Sequence, residues 1–108
     1  MSLTTTIFRV DKFIVPQTVC EEFLQRIRET HEILRRQPGF VRDALLEQIY
    51  GPGRFNIVTM VEWESQAAIE AAREVVEASR AATGFNQRET MQRLGIEADM
   101  ANYRHLEA

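Results

Sequence analysis

Three segments, TTIFRVDKFIV (Thr5–Val15), FVRDALLEQIY (Phe40–Tyr50) and RFNIVTMVEW (Arg54–Trp63), are rich in β-branched and aromatic residues and read as strands. All three carry apolar side chains in both alternation phases. Phe8, Val10 and Ile14 oppose Ile7, Phe13 and Val15; Phe40, Ala44 and Leu46 oppose Val41, Leu45 and Ile49; Phe55, Ile57, Val61 and Trp63 oppose Val58 and Met60. Because successive strand side chains point to opposite faces, a sheet made of these segments is apolar on both sides. An antiparallel sheet with one wet face would alternate apolar with polar residues. Both faces of this sheet therefore need a cover.

The segments between the strands supply one cover. Pro16 suits a helix entry, and Gln17–Gln37 places Val19, Phe23, Ile27, Thr30 or His31, and Leu34 near the helical period, with acids early and bases late. Pro38-Gly39 ends that helix. Gly51-Pro52-Gly53 reads as the turn of a hairpin between the second and third strands. Ser65 is a candidate N-cap for a second long helix, Gln66–Thr83, which stops at Gly84. A short helix from Asn86 or Gln87 to Leu94 precedes Gly95, and Ala98–Leu106 completes the order as a fourth strand.

This order predicts an α+β, ferredoxin-like βαββαβ fold. Its four-stranded antiparallel sheet carries two long helices on one face, plus a short extra helix before the last strand. The helices cover one face only. No further helix remains for the other, and a bare apolar face of that width exceeds the roughly 300–600 Å² patch of an ordinary monomer. The expected cover is a second copy of the chain, sheet against sheet, in a homodimeric α/β barrel.

With 108 residues, the expectation is a single domain over residues 1–108. The net charge of −3 supplies no general attraction for nucleic acid or anionic lipid, and the apolar runs are too short to span a membrane. The lone Cys20 and an N-terminus without a signal-like pattern point to a cytoplasmic protein. Twelve of the thirteen cations are arginines, a fork suited to anion recognition, although codon bias on a solvated surface is the more ordinary explanation. The sequence contains no phosphate-binding GxxxxGK[ST], no GxGxxG, no GxSxG and no His/Cys cluster at metal-ligand spacing.

GFV at Gly39–Val41, the hairpin, and VEWES at Val61–Ser65, in this order and spacing, resemble the antibiotic biosynthesis monooxygenase family. The resemblance runs from the first strand through the second long helix. It implies a ferredoxin-like fold, a dimer through the sheets, and a pocket between sheet and helices. The implied activity is oxidation of an aromatic, quinol or polyketide-type molecule by oxygen without metal, flavin or haem, so no cofactor is expected. In that chemistry an electron-rich phenolate or carbanion reduces oxygen itself while the protein binds, desolvates and deprotonates it.

Trp63 stands where the resembled polyketide oxygenases carry a pocket tryptophan. Their asparagine four residues earlier is Thr59 here, and their tyrosine six residues later is Ile69. The haem-degrading branch uses an asparagine on the first strand and a histidine on the second long helix. This chain has neither, with Glu74 near the expected helix position.

Among the residues themselves, His31 is the candidate acid/base, since imidazole titrates nearest neutrality, though a packed or capping histidine is the more ordinary outcome on that helix face. Thr59 shares the phase of Trp63 and is placed with it as a substrate-binding residue; Tyr103 is the second polar candidate. His105, two residues on, shares the face of Tyr103. Met60, Met91 and Met100 suit an adaptable apolar lining. No metal site is expected. Two alternatives to the oxygenase reading remain: a non-catalytic dimeric small-molecule binding or stress-related accessory protein, and lyase or isomerase chemistry on a carbonyl substrate.

Overall fold

The computed structural model describes residues 6–106, so the expected strand start at Thr5 lies outside the described residues. The elements are β1 (Ile7–Ile14), a 3-10 turn (Gln17–Val19), α1 (Cys20–Leu34), β2 (Phe40–Glu47), β3 (Ile57–Trp63), α2 (Gln66–Thr83), α3 (Gln87–Leu94) and β4 (Glu97–Tyr103). The four strands form one antiparallel sheet in the order β2-β3-β1-β4, the ferredoxin-like arrangement expected.

Some boundaries move, each for a local reason. The chain after Pro16 enters α1 through a 3-10 turn, so the α-helix proper starts at Cys20. β2 stops at Glu47 and β3 starts only at Ile57. Residues 48–56 form a longer loop, in which Gln48 Nε2 donates to the carbonyls of Gly51 and Gly53. Pro52 has no N–H for a ladder, and Gly51 takes φ +114°. β4 ends at Tyr103, short of Leu106.

The α2 termini follow the sequence signals. Ser65 Oγ accepts from the Ala68 amide at 3.2 Å, and Gly84 closes the helix in the left-handed conformation. Gly39 has a stricter role, with φ +88° and a virtual Cβ that collides with the side chain of Ala68. Only glycine lets β2 begin this close to the first turn of α2.

β1 and β3 are the central strands. Along β3 burial alternates without exception: Ile57, Thr59, Val61 and Trp63 are buried beneath the helices, while Val58, Met60 and Glu62 remain partly exposed opposite them. Phe8, Val10 and Ile14 share that open face with Val58, Met60, Ala44 and Leu46. The helices thus cover one face of a sheet that is apolar on both.

Candidate functional site

The buried residues of α1 are Cys20, Phe23, Ile27 and His31, spaced by three and four, so His31 occupies a position where the helical period calls for an apolar side chain. It is 4% exposed. Its Nδ1 lies 2.9 Å from Oδ2 of Asp43 on β2, and the same oxygen accepts from Arg35 Nε at 2.9 Å. Burial alone would raise the Asp43 pKa. Hydrogen bonds from His31 and Arg35, with the Arg35 charge, outweigh it and hold the carboxyl below its usual range. An ionised Asp43 can only accept, so Nδ1 of His31 carries the proton and the lone pair of neutral His31 is on Nε2.

Strict alternation along β2 would put Asp43 on the face opposite Phe40. A bulge between Phe40 and Arg42 shifts the register by one residue: Phe40 pairs with Trp63, Asp43 with Val61 and Leu45 with Thr59. Asp43 therefore faces α1. The same bulge corrects the expected phases of β2: Phe40 lies on the helix side, while Ala44 and Leu46 lie on the open side.

His31 borders a cavity of about 290 Å³ between α1, α2 and the sheet. Its apolar walls include Leu34, Val61, Trp63, Ile69, Ala72 and Val76, and Thr59 sits in its sheet wall, 3% exposed. Trp63 is 3% exposed and packs edge-on against Phe40, ring centroids 5.8 Å apart. Toward the β4 edge the lining turns polar, with Arg9 and Asp11, paired at 2.6 Å, beside Asn102. Among the described residues, no protein group hydrogen-bonds His31 Nε2, Thr59 Oγ1 or Trp63 Nε1, yet no side-chain polar atom is both sealed from solvent and unpartnered. The residues that carry these three atoms all line the cavity.

The structure brings His31, Thr59 and Trp63 to one cavity and separates Tyr103 from them. Tyr103 pairs with Phe8 on the open face of the sheet, because the β4 register sends Met100 and Asn102, not Tyr103, toward the helices. His105 lies beyond the end of β4 and is exposed. Of the methionines, Met100 lines the cavity, Met91 packs against the core around Phe13, and Met60 is on the open face. Asn56 ties the end of β1, receiving the Val15 amide at 2.8 Å and donating to its carbonyl at 2.9 Å. Burial, with Glu47 and Glu21, pushes the Cys20 thiol up, as befits a core side chain and not a nucleophile.

α2 turns Ile69, Ala72 and Val76 toward the cavity and no histidine, so it places no imidazole there to hold a haem iron. Among the described residues, no group of three or more His, Cys, Asp or Glu side chains converges as a metal site.

Residues 7–84 match the family described as antibiotic biosynthesis monooxygenase. No curated protein matches the chain. Among solved structures, a variant of SnoaB, a cofactor-independent oxygenase from Streptomyces nogalater, superposes with a TM-score of 0.71 at 21% identity, covering 96% of each chain. MhuD, a haem degrader from Mycobacterium tuberculosis solved with two haems in its active site, superposes with a TM-score of 0.68 at 18% identity, covering 94% of this chain and 97% of its own. These similarities establish the fold, and the fold is shared by proteins of different chemistry. With the match spanning β1 to the end of α2, the chain belongs to the antibiotic biosynthesis monooxygenase family.

Proposed function

We propose that the protein is a cofactor-independent monooxygenase-type enzyme acting on a hydrophobic aromatic, quinol or polyketide-type molecule, with His31 as its base. One observation carries this reading: His31, Thr59 and Trp63, whose Nε2, Oγ1 and Nε1 atoms have no protein partner among the described residues, line one cavity of mixed polar and apolar character, and the other nitrogen of His31 is fixed by Asp43. A flat ring fits against the Trp63 indole, and Thr59 offers a donor and an acceptor. His31 Nε2 takes the acidic proton of the substrate, and the apolar side chains around Trp63 withdraw the resulting anion in part from water.

That anion transfers one electron to molecular oxygen. Recombination at carbon gives a hydroperoxide, and loss of water from a CH–OOH centre leaves a carbonyl. The net change is CH2 + O2 → C=O + H2O, with the substrate supplying the electrons. The test is oxygen uptake with a panel of anthrones and naphthohydroquinones. Uptake well above the uncatalysed rate, falling about 10²–10⁴-fold in kcat on His31→Gln, supports the reading; uptake unaffected by His31→Gln contradicts it.

Thr59 and Ile69, where oxygenases of the family carry asparagine and tyrosine, favour a second reading, a ligand-binding protein that does not turn its ligand over. Tight binding without oxygen uptake would select it.

We further propose that the working unit is a homodimer through the open face of the sheet. Phe8, Val10, Met60 and Ala101 lie on this face, and Leu46 (55% exposed) and Tyr103 (44% exposed) extend the apolar surface. Tyr103 then serves the subunit contact and not the substrate. Sedimentation equilibrium should show a dimer at micromolar concentration that Met60→Glu converts to monomer; a wild-type monomer contradicts it.

A further inference from the structure

Arg80, in the last turn of α2, borders both the His31 cavity and a neighbouring groove of about 150 Å³ lined by Phe23, Phe85 and Met91. Ile27 and Thr30, within one turn of His31 on α1, line both spaces as well. Arg80 is only partly exposed, and burial draws its guanidinium below the usual value, with Glu77 opposing.

Its environment differs from that of every other arginine. Among the described residues, the other arginines without a carboxylate within 4.0 Å (Arg28, Arg36, Arg73, Arg88 and Arg104) are all exposed to water. Among the described residues, Arg80 alone is half-buried without a carboxylate within 4.0 Å, and Glu77, three residues earlier on α2, favours its charge from farther away. Its partners are neutral: Nη1 donates to Gln87 Oε1 at 2.9 Å, and the guanidinium lies 5.6 Å from the centroid of the Phe85 ring, against which Arg26 also stacks at 4.8 Å.

A half-buried cation without a paired anion bears a desolvation cost, which the charge of Glu77 offsets only in part. The contacts with Gln87 and Phe85 hold the fork in place while leaving N–H groups to be shared with a ligand. The acids that share the cavity are not paired with it: Asp11 is taken by Arg9, and Glu70 and Glu77, exposed at the cavity margin, do not come within 4.0 Å of its guanidinium. One guanidinium balances one negative charge, which suits a carboxylate.

We propose that Arg80 is a substrate-anchoring residue that pairs with a carboxylate on the molecule bound in the His31 cavity, so that the ligand class is hydroxyaromatic acids. The aromatic part of this assignment rests on the function proposed above; the acidic part rests on Arg80. The test compares 1-hydroxy-2-naphthoic acid with 1-naphthol by titration calorimetry. The wild-type protein should bind the acid at least tenfold more tightly than the naphthol, a ratio that added salt lowers. Arg80→Met should bring that ratio close to one, and Arg80→Lys should keep part of it.

Equal wild-type affinities, binding of neither compound, or a ratio that survives Arg80→Met would overturn the assignment, and the wild-type comparison stands even if the Met variant does not fold. Oxygen uptake with 1,4-dihydroxynaphthalene and its 2-carboxylate separates the two proposals. Equal turnover of both compounds leaves the oxygenase reading standing without the anchor. Selective binding of the acid with no turnover of either leaves the anchor without the oxygenase.

Discussion

The two ends of the helix–sheet layer are built from the same elements and packed to opposite ends. At one, Phe13 and Ile57 are essentially sealed, Phe13 meets Phe23 edge-on with centroids 4.9 Å apart, and Leu94 and Ile96, contributed by α3 and the turn after it, complete the cluster. At the other, Val61, Trp63, Ile69 and Ala72 form a thinner wall around a cavity of about 290 Å³. One turn of α1 joins the two regimes: Ile27 packs into the solid cluster and borders the cavity, and His31, the next buried position, faces Asp43 and the hollow. Stability is concentrated where side chains interlock, and chemistry where they stop short of filling space.

The contrast can be broken most severely at the solid end. Phe13→Ala removes a ring with no exposed surface and should cost about 3–5 kcal/mol in denaturant unfolding. A loss below about 1 kcal/mol would mean that this end is not the packed core described here.

Asp43→Asn, at the boundary, should cost less, about 1–3 kcal/mol near neutrality, because it removes an ion-paired acceptor from His31 and Arg35. It should also change the pH profile of stability. The Asp43 pKa is depressed in the folded chain, so its contribution is present above the ordinary carboxylate value of 3.8 and is lost as pH falls through the lower folded value. Unfolding free energies measured from about pH 5 down to about pH 2 should therefore fall less steeply in the Asn variant than in the wild type. Parallel profiles would remove Asp43 from the pair.

The smallest effect on stability belongs to the hollow end. Thr59→Val deletes a buried hydroxyl that no protein group engages, so it should leave stability unchanged or raise it by about 0.5–1 kcal/mol while weakening binding of a hydroxyaromatic probe. A stability loss above about 1.5 kcal/mol would show that Thr59 belongs to the fold's own framework.

Much of the framework was legible in the sequence because period and punctuation agree: Pro38-Gly39, Ser65 and Gly84 mark element ends, and the two-faced strands announce an uncovered sheet surface. The placement of Thr59 with Trp63 followed from alternation along β3, which has no bulge. Asp43 was hidden because the bulge at the start of β2 inverts parity after Phe40, and alternation carries no information about an inserted residue. A charged residue inside the apolar run FVRDALL was the one available signal. Tyr103 went astray for a related reason: its face depends on how β4 registers against β1, a long-range pairing that local pattern does not encode. Arg80 looked like one of many surface arginines until α3 folded Phe85 and Gln87 against it.

The central claim is that His31 presents an unprotonated Nε2 to a ligand in the hollow end while Asp43 holds the proton on Nδ1. Long-range proton–nitrogen NMR of the imidazole rings measures this directly, with His31 and His105 the only two histidines to assign. The expected spectrum shows His31 as the Nδ1–H tautomer, with an Nε2 resonance that shifts when 1-naphthol is added and a tautomer preference that weakens in Asp43→Asn. An Nε2–H tautomer in the free protein, or an Nε2 resonance indifferent to the added naphthol, would contradict it.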